Sequence, residues 1–277
     1  MVSRRVVSAL CLGAAAAVFS GPLASPALTA EPEYAKIVAE SSGVLVSIKY
    51  VLKIDMNGQA QEKETEAVGL MIDGKGLVLC SGVDMGAIPG GGRPGLTVSP
   101  TKIKVLVGDD TEGVDAKLVS RDSELDLAWV QIEKPADKAY THADFSKSAL
   151  VAQGDKLLML TRLDKFFDRT VAISDFRVGA VVKKPRTLIV PADGLRMYGR
   201  PVFAASGQVV GFAVVQAPSQ EEAAEEGSFR GAIVVLPGAE VAAATERALK
   251  NPETEKPAES AAPSEAKPEG DMGEKKP

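Results

Sequence analysis

Short apolar runs separated by turn residues fill the chain between its two ends, a pattern that predicts strands of a barrel or sandwich rather than βαβ units. Residues 44–52 are strongly β-prone, and residues 67–72, the turn Asp73-Gly74-Lys75-Gly76 and residues 77–79 together predict a hairpin. Ile103, Val105 and Val107 alternate with polar positions, after which Gly108-Asp109-Asp110 turns the chain towards a run at 116–119. Residues 127–132 are expected to close a first barrel. After a connection containing Pro135 and His142, the runs 156–160, 169–173, 178–182, 188–190, 201–203, 209–215 and 231–235 predict a second barrel. Ala, Val and Leu return at helical spacing only over 239–250, which predicts a helix there.

The ends break this pattern. Ser3-Arg4-Arg5, an Ala-rich apolar run over 6–19 and small residues and prolines up to Leu28-Thr29-Ala30 read as an export signal, since the run is too short to span a bilayer. Cleavage after Ala30, or alternatively after Ala27, gives a mature chain for the periplasm or the extracellular space, without a transmembrane segment. Ser3-Arg4-Arg5 also fits the start of a twin-arginine signal, so both export routes stay open. Residues 251–277 are almost entirely Pro, Glu, Lys, Ala and Ser, which bury too little apolar surface to offset chain entropy and predict a disordered tail. The expected organisation is a signal over 1–30, a folded domain over 34–250 and the tail. Within the domain, barrel 1 covers about 34–134, barrel 2 about 150–237 and the helix 239–250.

A hydrophobic fraction of 45% supplies a core, and a formal net charge of -5 gives nucleic acid no electrostatic reason to bind, so the expected partners are proteins or extended peptides. Cys11 lies within the signal, preceded by Leu10 where a lipoprotein signal requires a small residue, and Cys80 is the remaining cysteine. One thiol forms no internal disulfide, and with His142 the sole histidine a zinc site of clustered His and Cys is not expected; nor is any other cofactor. Ile88-Pro-Gly-Gly-Gly-Arg-Pro-Gly95 lacks the Gly-Lys-Ser/Thr ending of a phosphate loop and reads as a surface insertion. Asp109, Asp110, Glu112 and Asp115 crowd one turn without the spacing of an EF-hand loop and read as a solvated hairpin turn.

Several stretches in fixed order resemble the HtrA/Deg serine proteases, over about residues 34–250. Tyr34-Ala-Lys-Ile-Val through Gly43-Val-Leu-Val-Ser-Ile is similar to the helix-to-strand entry of that family. Val68-Gly-Leu-Met-Ile-Asp-Gly-Lys-Gly-Leu-Val-Leu resembles the hairpin leading to the catalytic histidine. The most specific match runs from Lys104 through Leu125-Asp126-Leu127-Ala128 to Ile132, similar to the segment bearing the catalytic aspartate. Gln153-Gly-Asp-Lys-Leu-Leu-Met-Leu, Gly207-Gln-Val-Val-Gly-Phe-Ala-Val and Arg230-Gly-Ala-Ile-Val-Val-Leu-Pro resemble later strands of the protease domain, and the expectation is a member without the family's PDZ domain. The resemblance implies an all-β fold of two six-stranded antiparallel barrels, chymotrypsin-like, with a short C-terminal helix.

It also implies a degenerate site. Acyl transfer by this family needs a nucleophile, a base, an orienting carboxylate and backbone donors for the oxyanion. Asp126 matches the orienting carboxylate, while the histidine position falls on Val83, or on Gly82 if the alignment slips by one. Tyr198, in Tyr198-Gly199-Arg200-Pro201, stands at the serine position, and Arg196 replaces the glycine that shapes the oxyanion loop. Ser206, His142 and Asp126 are the only set that builds a triad on the sole histidine. The expectation is an exported, catalytically inactive protease-fold protein that binds a protein, an extended peptide or another envelope protease. The alternative is an active trypsin-like endopeptidase with relocated or partner-completed catalytic residues.

Overall fold

The computed structural model describes residues 32–89, 95–184, 186–218 and 231–252. Helix α1 (Pro32–Ser41) leads into β1 (Leu45–Met56), β2 (Gln59–Met71), β3 (Leu77–Ser81), β4 (Leu96–Val107), β5 (Val114–Asp122) and β6 (Leu127–Ile132). These strands close in the order β1-β2-β3-β6-β5-β4. A second set, β7 (Lys156–Arg162), β8 (Val171–Val182), β9 (Leu188–Pro191), β10 (Arg200–Ala204), β11 (Val209–Gln216) and β12 (Ala232–Pro237), closes as β10-β11-β12-β9-β8-β7. Helix α2 (Gly238–Lys250) follows directly. The chain therefore forms the expected all-β pair of six-stranded antiparallel barrels with a short helix near the C-terminus.

Side chains alternate across a strand, and here both faces of the central strands meet apolar partners. In β6, Ala128 and Val130 point into the first barrel with Val46, Ile48, Val78 and Val105. Their neighbours Leu127 and Trp129 point the other way, into a cluster that also takes Leu158 and Leu160 of β7 and Phe212 and Val214 of β11. The second barrel is filled by Leu157, Met159, Val178, Val202, Val210 and Val235. Two-sided burial explains why the sequence shows unbroken apolar runs at these strands rather than alternation. The middle cluster is shared by both barrels and is sealed by Val241, Ala244 and Ala248 of α2. The Trp129 indole N–H donates to Thr245 Oγ1 at 3.0 Å, pinning that helix to the first barrel.

Three details depart from the pattern-based expectation. The runs at 169–173 and 178–182 belong to one strand, β8, and Arg169 lies before it in a left-handed turn with φ 49°. The polar stretch Ser174-Asp175-Phe176-Arg177 looked like a break, yet it pairs with β7 from Leu160↔Ile173 to Lys156↔Arg177, with Ser174 and Asp175 turned to solvent. β1 and β2 extend well beyond the 44–52 and 67–72 runs because Asn57 and Gly58, at φ 53° and 85°, form a tight hairpin turn. An N-terminal helix, implied only by the family resemblance, is also present. The proposed signal over 1–30, most of the tail and the middle of the Ile88–Gly95 stretch lie outside the described residues.

Candidate functional site

Asp126 is fully buried at the start of β6, on the side of the first barrel that faces β11. Its backbone is left-handed, with φ 56°, a conformation a non-glycine residue adopts only when its surroundings fix it. Those surroundings are its hydrogen bonds. Ser81 Oγ donates to Asp126 Oδ1 at 2.6 Å and the Val83 N–H donates to the same oxygen at 2.9 Å. From the second barrel, the Val215 N–H donates to Oδ2 at 2.7 Å. The backbone carbonyl of Asp126 accepts the Gly82 N–H at 3.1 Å. Burial pushes the Asp126 carboxyl above its ordinary range, while the donors from Ser81, Val215, Val83 and Gly82 pull it back.

A second carboxylate lies nearby. Asp84 follows Val83, and burial pushes its pKa up to about 6; the Arg200 charge opposes that shift, Asp126 adds to it, and the Tyr198 hydroxyl opposes it. Tyr198 is pushed up to about 12, first by burial and then by Asp84 and Asp126. The phenol therefore stays protonated at neutral pH. Arg200 reaches across the base of the site, donating through Nε to Thr161 Oγ1 at 2.6 Å and through Nη1 to the carbonyls of Tyr198 at 2.9 Å and Gly199 at 3.2 Å. Gly199, at φ 68°, gives its N–H to Ala213 O at 2.7 Å and packs so closely that a Cβ would sit 3.1 Å from Ser81 Cβ. Tyr50, buried in β1, completes the cluster, its hydroxyl held protonated by burial and by Asp84. Cys80 is entirely buried, donates to Ala128 O at 3.6 Å, and is raised by burial and by both carboxylates, so it stays a neutral thiol.

Asp126, Val83 and Tyr198 thus come together around Ser81 and Asp84. Arg196 is exposed on the loop before β10. His142 and Ser206 lie elsewhere: His142 is exposed in the connection between barrels, its Nδ1 3.0 Å from Tyr140 O, and Ser206 turns the chain between β10 and β11, with its Oγ 3.4 Å from Gln208 Oε1. Neither is a hydrogen-bond partner of Asp126. The acidic turn is a hairpin turn between β4 and β5, in which Asp110 accepts the N–H groups of Glu112 and Gly113. Sequence reasoning missed Asp84 and the clamp made by Arg200. A charge in the otherwise small and apolar stretch Cys80-Ser81-Gly82-Val83-Asp84-Met85-Gly86 was the available signal for the first.

Neither a family model nor a curated protein sequence matches the chain. Its structure, however, superimposes on a solved HtrA-type protease, AlgW with a tripeptide, with a TM-score of 0.52 over 79% of this chain. The fold is chymotrypsin-like. The two sequences are 15% identical, so the likeness concerns the fold, and the chain spans 64% of the length of that solved chain. In the chymotrypsin-like frame the cluster around Asp126 occupies the seam between the two barrels, where a strand of each contributes a donor.

Proposed function

We propose that this chain is an exported pseudoprotease, a chymotrypsin-like double barrel that works by binding a protein or an extended peptide in the cell envelope. One observation carries the reading: every donor to the carboxylate at the orienting position comes from Ser81 or from the backbone of its own fold, and none is an imidazole. Both oxygens of Asp126 accept hydrogen bonds, from Ser81, Val83 and Val215, so the buried carboxylate is held in place without an imidazole. Val83 occupies the base position and contributes a backbone N–H instead. Tyr198 at the nucleophile position is a phenol pushed up to about 12, and its neighbour Asp84, at about 6, is too weak a base to take its proton. The sole histidine is held by Tyr140 in the linker between barrels.

The experiment is labelling of the purified mature protein with a fluorophosphonate serine-hydrolase probe, with heat-denatured protein as the control. No labelling above the control is expected. Specific labelling that disappears in Ser206→Ala would establish the alternative, an endopeptidase with a relocated nucleophile.

A further inference from the structure

The first barrel does not end where its walls close. β1 and β2 pair without a break from Leu45↔Leu70 to Met56↔Gln59, and β4 pairs with the far half of β1 from Val51↔Thr101 to Met56↔Leu96. β2 meets β3 only at Leu70 and Met71, and β4 meets β5 only at Lys104 and Val105. A three-stranded arm, β2-β1-β4, therefore projects past the barrel, with two outer edges that no further strand covers among the described residues.

These edges are treated differently. The β4 edge is blunted: it contains Pro100, a left-handed Lys102 at φ 51° and a shift of register, and Arg121 Nη1 donates to Val98 O at 3.3 Å. Gly86 lies so close that a Cβ on it would be 2.9 Å from that same carbonyl. These are the devices by which proteins keep an edge from recruiting another strand. The β2 edge, Gln59–Glu64, has no proline or bulge among the described residues, and all six residues are exposed. Its base is fixed, since Arg169 grips Glu66 through two hydrogen bonds of 3.1 and 2.7 Å.

Charge says what such an edge would accept. Side chains of Glu62, Glu64 and Glu66 fall on one face of β2, where Glu62 stands opposite Lys53 and Glu64 opposite Val51 of β1, and neither Glu62 nor Glu64 forms a salt bridge among the described residues. A second copy pairing antiparallel about Glu62, Lys63 or Glu64 would set at least one glutamate opposite another, which is unfavourable. We infer that the open edge of β2 docks an extended segment of a partner protein carrying Lys or Arg at alternate positions, which pair with Glu62 and Glu64 while the backbone adds a fourth strand to the arm. This rests on the reading of the protein as a binding module and names the chemistry of its partner.

The test uses the whole mature protein and a fluorescent peptide alternating Lys with Val and Thr, read by anisotropy. Saturable binding is expected, weakened about tenfold by Glu62→Lys with Glu64→Lys and unchanged by the charge-matched control Glu133→Lys with Asp137→Lys. The peptide is also made in two N-methylated forms, each blocking the amides on one side. Strand pairing requires that one form binds and the other does not. Equal binding of both, equal binding of a Glu-for-Lys peptide, no saturable binding, or a dimer of this chain that the double charge reversal dissolves would each overturn the inference. The probe labelling above is independent of these results: a labelled protein that still pairs with the peptide loses the pseudoprotease reading and keeps the docking edge.

Discussion

Asp126 shows how a buried carboxylate is held by donors from two barrels. Ser81 and Val83 bond to one oxygen and Val215 to the other, and Asp84 lies in the space beside them. On the proposed reading of the site, Val83→His with Tyr198→Ser is expected to produce little hydrolysis. An imidazole at position 83 would have to share Asp126 with the donors already in place, and on the proposed reading Arg196 still occupies the loop that would present oxyanion donors. Peptide-ester turnover by the double variant is the measurement, and a robust rate would show that the loop can form an oxyanion site with Arg196 in place. The resemblance brought Asp126, Val83, Tyr198 and Arg196 to attention from the sequence. Asp84 was not legible, because its importance comes from burial beside Arg200 and Tyr198, which only the packing of the two barrels creates.

Among the elements, strands with two apolar faces were the most legible: 127–132 was read to its ends, and β11 and β7 nearly so. Strands with a solvated face were read short or divided, as in β8 and the arm of β1 and β2, because polar residues there resemble turns until pairing is known. Glycines in the ladder carry information of another kind. A Cβ on Gly211 would stand 2.1 Å from Leu236 O, within the β11–β12 pairing itself. Gly211→Ala should therefore separate these strands locally and cost about 3 kcal/mol or more, read as a lowered urea midpoint. By contrast, alanine at Gly154 meets no atom within 4 Å and pays only for its φ of 93°.

Across the whole molecule, the buried carboxylates set the response to pH. Burial pushes the Asp84 carboxyl up to about 6 in the folded state, above its ordinary value of 3.8. The folded protein thus holds this proton more tightly than the unfolded chain, so the contribution of Asp84 to stability is fully present below the unfolded value and is lost as pH rises through about 6. Asp126, also raised, acts in the same direction. Thermal midpoints measured across this window should fall with rising pH from these two groups, and Asp84→Asn should flatten the fall; an unchanged slope would remove Asp84 as its source. The shared cluster between the barrels has a mechanical meaning as well. With Leu127, Trp129, Leu158, Phe212 and the inner face of α2 in one packed body, the two barrels are expected to move as a unit. The entropy lost when an extended segment docks on such a body falls on the segment, so pre-stiffened segments should bind more tightly than flexible ones of the same sequence.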